Sequence, residues 1–354
     1  MMERPVWLAY VGCRTTVERQ ARGQGLGVYE IDARGTWRRV QLVAGLNNPS
    51  YLCLDAAGQA LYAVHGDFSE VSSFEVDEAG RISKTGTQGT WGQNPVHLAL
   101  SPSQRWLLVA NYATGNVVSL AVGGHGRLGQ VACSLNLPGS PGPHLQQRGS
   151  HPHQVCFDPA GRWAFVPDKG LDKVFALSLA EDTGTLAIAA ESALPAGSGP
   201  RHLAFHAPSQ TAYVVGELDR TVMACRYDPA HGRLRLMDAV STVPNGIATG
   251  SASGIALSAD GQTLHVANRG PGNVCSFDID PATGGPSAPR WSPTGGRTPR
   301  FITLSPDGRQ LLAANEDSDT IASAELSAAL PVPLFETVAA TGSPVCIVFR
   351  KIRP

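Results

Sequence analysis

A short sequence pattern repeats seven times along the chain, and it limits the possible fold more than any other feature. Each copy opens on a proline or a small residue, continues with alternating apolar and polar residues, and ends in a turn. The copies open at Pro49, Pro95, Pro152, Pro200, Ser253, Pro299 and Pro344. The intervals between these openings are 46, 57, 48, 53, 46 and 45 residues. This period is close to the ~40–50 residues of one β-propeller blade.

Each copy predicts four short strands. Residues 301–303 alternate in polarity as a first strand does, residues 106–111 form a second, apolar strand, and residues 117–120 a third. A Gly-x-Leu signal, as at 126–128, leads to an outer strand. No helical apolar period persists long enough to predict a major helix. We therefore predict an all-β chain, in which residues 1–354 form a single seven-bladed β-propeller domain with four-stranded antiparallel blades.

The two ends of the chain are expected to complete the ring together. The last copy, residues 344–350, supplies only a first strand. The N-terminus supplies the missing second, third and fourth strands at residues 6–12, 27–31 and 37–43. The seventh blade is then shared by the N- and C-termini, which covers sheet edges that would otherwise be open.

Composition limits the partners and the compartment. The net charge of −1 creates no global field that would favour nucleic acid or an anionic membrane surface. The seven cysteines include no CxxC pair, which favours small buried thiols in a reducing compartment. The N-terminus lacks a long apolar segment, and no apolar run approaches the ~18 residues of a membrane span. We predict a cytoplasmic monomer or weak homo-oligomer with no nucleic-acid or membrane partner.

The repeat register predicts which residues meet at one mouth of the central channel. The first strand of each blade lines the channel, and the second strand runs antiparallel to it, so the start of one and the end of the other lie together. The position after each opening residue holds Ser50, Val96, His153, Arg201, Gly254, Arg300 and Val345. The position that follows the second strand holds Gly66, Tyr112, Lys169, Glu217, Arg269 and Glu316.

The charged members of these two sets lie on consecutive blades and suit an anionic substrate. Arginine forks such as those of Arg201, Arg269 and Arg300 match a carboxylate or a phosphate. His153 titrates near neutrality, and the surrounding cations should depress the pKa of Glu217 and keep it ionised. Either His153 or Glu217 could act as a general base, and the sequence does not choose between them.

Other kinds of chemistry find little support in the sequence. There is no GxSxG motif, and Cys156 lies at an apolar strand position, so covalent catalysis is not expected. His144, His151 and His153 are close in sequence but have no carboxylate at metal-ligand spacing. We expect neither a metal nor another cofactor, which leaves acyl hydrolysis by water or proton transfer.

Three segments, at 109–117, 151–174 and 197–222, resemble the lactonase family of seven-bladed propellers. That family includes cycloisomerase-type 6-phosphogluconolactonases and shares its fold with the 3-carboxy-cis,cis-muconate lactonising enzyme. The resemblance extends over essentially the whole chain, and its specific part is the HPH, GPRH and ELD segments. One departure is the loop at 13–22, which is longer and more basic than the start usual in the family.

The resemblance implies roles for individual residues. It implies that the catalytic residues are His153, Glu217, Arg201 and Arg269. The long excursion at 137–150 is similar to a family loop that would place Gln147 and Arg148 near the site. With the register, this gives the expected substrate-binding residues Arg148, Gln147, Lys169, Arg300, Asn111 and Tyr112.

These observations predict an enzyme that hydrolyses a small anionic lactone, foremost 6-phosphogluconolactone or a related sugar-acid lactone. One alternative is a cycloisomerase of the carboxymuconate lactonising type, which would move a proton at the same residues. Another is a non-catalytic scaffold that binds proteins on its rim. A scaffold would expose a large apolar or aromatic patch, and only 6% of the residues are aromatic.

Overall fold

Seven four-stranded antiparallel sheets make up the structure, which confirms the predicted seven-bladed propeller. The computed structural model describes residues 5–247, 249–326 and 333–352, and 28 strands lie within these ranges. The helical residues described there form three short 3₁₀ turns, at Val17–Arg19, Gly124–Gly126 and Glu316–Ser318. Among the described residues, no helix has the length and apolar character needed to cross a membrane.

The blades follow one another along the chain. Blade one contains β4 (Pro49–Leu54), β5 (Ala60–His65), β6 (Glu70–Val76) and β7 (Ile82–Gly89). Blade two contains β8 (Pro95–Leu100), β9 (Trp106–Asn111), β10 (Asn116–Val122) and β11 (Leu128–Asn136). Blade three contains β12 (Cys156–Phe157), β13 (Ala164–Asp168), β14 (Lys173–Leu179) and β15 (Leu186–Ala193). Blade four contains β16 (Pro200–His206), β17 (Thr211–Gly216), β18 (Thr221–Asp228) and β19 (Arg233–Ser241).

The remaining blades close the ring. Blade five contains β20 (Ala252–Leu257), β21 (Thr263–Asn268), β22 (Asn273–Ile279) and β23 (Pro286–Pro293). Blade six contains β24 (Pro299–Leu304), β25 (Gln310–Asn315), β26 (Thr320–Glu325) and β27 (Glu336–Ala340). Blade seven contains β28 (Pro344–Lys351), β1 (Pro5–Cys13), β2 (Gly25–Asp32) and β3 (Trp37–Ala44). The predicted sharing of this blade between the two termini is therefore confirmed.

The strand patterns follow from where each strand lies in its blade. The second strands β5, β9 and β17 are buried at every residue, because neighbouring blades cover both faces of the sheet. Their sequences are accordingly almost continuous apolar runs. The outer strand β11 alternates between partly or fully buried and exposed residues. Burial thus explains why the predicted second strand at 106–111 is an apolar run.

The hydrophobic core lies between the blades. One buried cluster joins Tyr213 and Val215 of blade four to Leu264 and Val266 of blade five. Another joins blades two and three, and a third joins blades six and seven. Each blade is therefore held by apolar contact with its neighbours, and the polar residues that face the channel do not need to supply the stability of the ring.

The fifth repeat starts at Ala252, one residue before the predicted start at Ser253. Ala252 pairs with Asn268 at the end of the second strand, as Pro299 pairs with Asn315 in blade six. Ala252 therefore takes the place that proline holds in the other blades, and Ser253 rather than Gly254 occupies the channel position. The error arose because alanine replaces the marker proline and a second small residue follows it.

Candidate active site

A repeated backbone hydrogen bond fixes the residues at the channel mouth. In every blade, the residue after the second strand donates its backbone N–H to the carbonyl of the residue just before the opening proline or alanine of the repeat, at 2.9–3.0 Å. The donors are Gly66, Tyr112, Lys169, Glu217, Arg269, Glu316 and Arg14. The first six are the predicted set. Arg14 is the seventh member, supplied by the N-terminal strand of blade seven, and it was not predicted as a site residue.

The carboxylate of Glu217 is the centre of the charged cluster. Lys169 Nζ donates to Glu217 Oε1 at 2.6 Å. Arg201 Nε lies 2.9 Å from Oε2, and Arg269 Nη2 lies 3.0 Å from the same oxygen. His153 Nε2 is 3.9 Å from Oε2. The structure thus brings together the four residues expected to be catalytic, with Lys169 beside them.

The backbone of the neighbouring blade orients the arginines. Arg201 lies in an irregularity between Pro200 and Leu203, where β16 shifts its register against β17. Its Nη1 donates to the carbonyl of Ser253 at 2.7 Å. Arg269 Nη2 donates to the carbonyl of Ala252 at 3.1 Å. Both guanidinium groups are therefore held at the first strand of blade five while they face Glu217.

Burial and charge together set the ionisation of Glu217 and Arg201. Burial by itself would raise the pKa of Glu217, but the charges of Arg269, Lys169 and Arg201 outweigh it and hold that pKa well below its ordinary value. The carboxylate is therefore ionised, as the sequence predicted. Burial lowers the pKa of Arg201 to about 9, which keeps its guanidinium charged at neutral pH.

His153 faces this cluster as a neutral imidazole. Burial, reinforced by the charge of Arg201, holds the pKa of His153 well below its ordinary value despite the opposing effect of Glu217. Its ring makes near-perpendicular contacts with the rings of Tyr112 and His202, with centroid distances of 5.6 and 5.3 Å. One ring nitrogen of His153 is therefore unprotonated at neutral pH.

Several buried polar atoms around Glu217 have no hydrogen-bond partner among the described residues. They are His153 Nδ1, Arg201 Nε, Glu217 Oε2 and Arg269 Nε. The two arginines contact Oε2 as ion pairs without hydrogen-bond alignment. Buried polar groups in folded proteins are nearly always hydrogen-bonded, so such a concentration at one place is typical of a site that receives a polar ligand.

A group of aromatic and imidazole rings packs next to the charged cluster. Tyr51 and His97 pack with ring centroids 3.9 Å apart, and His202 and Phe301 contact Tyr51 edge-on. Burial lowers the pKa of His97 to about 3, and it also holds that of His202 well below its ordinary value. These imidazoles are therefore neutral packing groups.

Arg300 and Tyr112 are also placed at the mouth. Arg300 Nη1 lies 3.5 Å from Glu316 Oε2. Tyr112 stacks on His151 with ring centroids 4.5 Å apart, and Lys169 Nζ lies 5.7 Å from the centroid of its ring. His151 Nδ1 donates to the Tyr112 carbonyl at 2.8 Å. His151 thus supports the aromatic wall of the site, which the sequence did not indicate.

The structure does not place Asn111, Gln147 and Arg148 at the cluster. Asn111 Nδ2 donates to the carbonyl of Thr90 at 2.9 Å, and the equivalent asparagines of blades five and six make the same bond to a threonine carbonyl. Gln147 Nε2 donates to the Lys169 carbonyl and to Asp172 Oδ1, both at 2.8 Å, which pins the loop. Arg148 is exposed. Substrate binding by these three stays a prediction.

Gln146 and Arg14 are the polar residues that the prediction missed. Gln146 Oε1 accepts a hydrogen bond from Lys169 Nζ at 2.8 Å, and it lies next to Gln147 in the same loop. Arg14 could have been found by extending the second-strand rule to the N-terminal strand. Among the described residues, no group of three or more His, Cys, Asp or Glu side chains could hold a metal ion.

Comparisons with known proteins agree with this geometry. The family described as "Lactonase, 7-bladed beta-propeller" matches residues 8–349. A 6-phosphogluconolactonase of Bacillus subtilis is 28% identical over 97% of this chain and 98% of its own length. A 6-phosphogluconolactonase of Formosa agariphila is 28% identical over 84% of this chain and 87% of its own.

The solved structures give the same result. That of a periplasmic gluconolactonase from Pseudomonas aeruginosa is 30% identical and superposes with a TM-score of 0.89, covering 98% of this chain and 100% of that one. The family match spans nearly all seven blades and includes every residue of the charged cluster. The chain belongs to the lactonase family of seven-bladed β-propellers and is an enzyme of the lactonase class.

Proposed function

We propose that this chain hydrolyses a small anionic lactone at the channel mouth, foremost 6-phosphogluconolactone or a related sugar-acid lactone. The observation that carries the proposal is the set of unpartnered buried polar atoms around the Glu217 carboxylate. Relatives named 6-phosphogluconolactonase and gluconolactonase support the substrate class. The excess of cations over carboxylates at this mouth supports an anionic substrate.

We assign the role of general base to His153. Its imidazole is neutral, and Nε2 lies near the Glu217 carboxylate at 3.9 Å. When the imidazole takes a proton from the attacking water, the carboxylate stabilises the positive charge that forms. Glu217 is not assigned this role, because both of its carboxylate oxygens already face cations, Lys169 on Oε1 and the two arginines on Oε2. Its part in the reaction is electrostatic.

The two arginines suit the charge that develops on the lactone carbonyl. Water forms a bond to the carbonyl carbon, and the carbonyl oxygen becomes negative in the tetrahedral intermediate. Arg201 Nε and Arg269 Nε are buried donors without a hydrogen-bond partner, and they can meet that oxygen. As the intermediate collapses, the bond between carbon and ring oxygen breaks, and protonated His153 returns its proton to the ring oxygen. The product is the open hydroxy acid.

Acid release from lactones tests this assignment. We expect His153→Ala to lower kcat about 10²- to 10⁴-fold, the usual contribution of an acid–base group, and Glu217→Gln to lower it up to about 10⁴-fold, as the loss of a carboxylate that stabilises an imidazolium does. His231→Ala and Glu191→Gln are matched controls, because both residues form ion pairs on the exposed surface. If both site variants match wild type on every lactone that is turned over, the proposed site is wrong.

The same assay separates hydrolysis from isomerisation. A panel of phosphorylated sugar lactones and carboxylated muconolactones would be followed by proton NMR. Hydrolysis gives the open hydroxy acid, whereas a cycloisomerase of the carboxymuconate lactonising type interconverts a lactone with an unsaturated open-chain acid. We expect the hydroxy acid from the sugar lactones. Turnover of muconolactones alone would replace the proposed function by the isomerase.

We also propose a cytoplasmic location and a monomeric or weakly associating state. All seven cysteines are free thiols, which is typical of a reducing compartment. Cell fractionation with a periplasmic marker tests the location, and light scattering across a concentration series tests the assembly. A periplasmic fraction, as the name of the Pseudomonas aeruginosa relative describes for that protein, would overturn the first proposal.

A further inference from the structure

Arg14 brings a buried charge to the mouth from the side opposite Glu217. It follows the strand of blade seven, whereas Glu217 belongs to blade four. Its side chain is only 3% exposed. Its Nε has no hydrogen-bond partner among the described residues, although it is fully buried. A buried guanidinium with an unused donor is costly unless an acceptor completes its hydrogen bonding.

The carboxylate nearest to Arg14 is engaged mainly by other donors. Arg14 Nη1 lies 3.3 Å from Asp67 Oδ2. The same oxygen accepts from Arg19 Nε at 2.8 Å and from Asn48 Nδ2 at 3.0 Å, and Arg19 also bonds the other carboxylate oxygen. Asp67 therefore neutralises Arg19 first. Arg14 is left with a long contact to a shared oxygen.

Arg14 shares a small cavity with two other arginines. The cavity has a volume of about 20 Å³, and its polar lining includes Ser50, His153, Arg14, Arg201 and Arg300. Burial lowers the pKa of Arg14 to about 9, and the charges of Arg300 and Arg19 add to that effect. Like charges converge here without an equal number of carboxylates. An anionic oxygen in this space would remove the repulsion and supply an acceptor.

Blade one leaves room for the Arg14 guanidinium. Gly66 occupies the position that carries Tyr112, Lys169 or Glu217 in other blades. A Cβ at Gly66 would lie 2.3 Å from Arg14 Nη1 and 2.7 Å from Ser50 Oγ. The backbone of Gly66 needs no left-handed φ, so the glycine is required for space. A methyl group there would displace the flexible tip of Arg14 before it disturbed the fold.

We propose that Arg14 and Arg300 form a specificity-determining subsite, called here the Arg14 subsite, which binds the anionic group of the substrate. The reacting carbonyl lies at His153 and Glu217, and the anionic group points across the channel toward blade seven. The recognised chemistry is an oxyanion, either a phosphate or a carboxylate. This inference rests on the proposed function for the identity of the substrate, but anion binding at the Arg14 subsite can be tested with small anions and without any turnover.

The first experiment measures binding of inorganic phosphate and of acetate by calorimetry. The proteins are wild type, Arg14→Gln, Gly66→Ala and Gly89→Ala. Gly89 lies on β7, and a Cβ there would have no atom within 4 Å, which makes it the matched glycine control. We expect Arg14→Gln and Gly66→Ala to weaken binding about 10- to 100-fold, the effect of one lost charge-assisted hydrogen bond. Gly89→Ala should bind as wild type does.

The second experiment compares substrates. The ratio of kcat/KM for 6-phosphogluconolactone to that for uncharged glucono-1,5-lactone should fall by the same factor in Arg14→Gln and Gly66→Ala, mainly through KM. Whichever of phosphate and acetate binds wild type more tightly identifies the group on the substrate. If Arg14→Gln does not fold, Gly66→Ala decides by itself.

The outcomes are distinguishable. If the wild-type protein binds neither anion, or if Arg14→Gln and Gly66→Ala bind as wild type does, the proposed Arg14 subsite is wrong. If the wild-type protein binds phosphate through Arg14 but hydrolyses no lactone, the proposed function is refuted and the Arg14 subsite is still supported.

Discussion

Glu217 should be worth far more to stability than any one of its cationic partners. Glu217 pairs with three cations, of which Lys169 and Arg201 are buried and Arg269 is partly buried, so this group of four residues carries a net charge of +2. Glu217→Gln raises it to +3, whereas Lys169→Met lowers it to +1. The two substitutions remove the same ion pair, between Lys169 and Glu217, and change the remaining charge in opposite directions.

The magnitude follows from the burial of the group. Leaving buried charges without their partner costs about 3–5 kcal/mol, so Glu217→Gln should lower the free energy of unfolding by that amount. With an unfolding entropy of about 2.1 cal/mol/K per residue, this corresponds to roughly 4–7 °C in Tm for a chain of 354 residues. Lys169→Met should cost less than about 2 kcal/mol, because two cations still face the carboxylate.

Urea denaturation followed by tryptophan fluorescence measures both variants, and the difference between them is the test. The pH dependence gives a second readout. Since the folded-state pKa of Glu217 lies well below its ordinary value of 4.5, its stabilisation is complete above that pH and is lost as the pH falls toward the depressed value. Glu217→Gln should lack this part of the acid sensitivity. Equal losses in the two variants would refute the reasoning.

Three further predictions concern the base, the asparagines and the loop. Because the pKa of His153 lies well below its ordinary value of 6.5 and that of Arg201 is about 9, kcat/KM should be flat from pH 6.5 up to the pKa of Arg201 and fall on the acid side only below pH 6.5, as a pH–rate profile would show; a fall near pH 7 would contradict it. Asn111→Ala and its equivalent Asn315→Ala should each lower the free energy of unfolding by about 1–3 kcal/mol without raising KM, since each binds a buried carbonyl; a rise in KM confined to Asn111→Ala would instead favour substrate contact. Gly170→Ala should raise KM and lower Tm, because its Cβ would lie 1.7 Å from the carbonyl oxygen of Gly149 in the loop; unchanged kinetics and melting would contradict that packing.

Comparing equivalent positions of the repeats was sufficient to identify most residues of the charged cluster. In a propeller, residues at the same place in each copy face the same mouth, so Lys169, Glu217 and Arg269 could be brought together by register alone. The same rule missed two positions at the mouth. Blade five opens on Ala252 instead of proline, and the strand before Arg14 precedes the first copy of the repeat.

Side-chain direction was the part that register could not supply. Asn111 and Gln147 lie beside residues of the mouth in sequence, but their amides bind backbone carbonyls and Asp172. An amide can serve a ligand or a buried carbonyl equally well, and the choice depends on which unpaired group lies within reach after folding. The stacking of His151 on Tyr112 likewise depends on packing between two blades.

The sequence by itself therefore determined the all-β ring, the shared seventh blade and the set of charges at one mouth, because a strict repeat converts residue number into position. Only the tertiary structure decided how those charges are distributed. It places three cations on Glu217 and gives most of Asp67 to Arg19, so that Arg14 is left with an unused donor beside Gly66. The physical reason is that ion pairing and cavity space depend on distances of a few ångströms between blades far apart in sequence, and no periodicity encodes those distances.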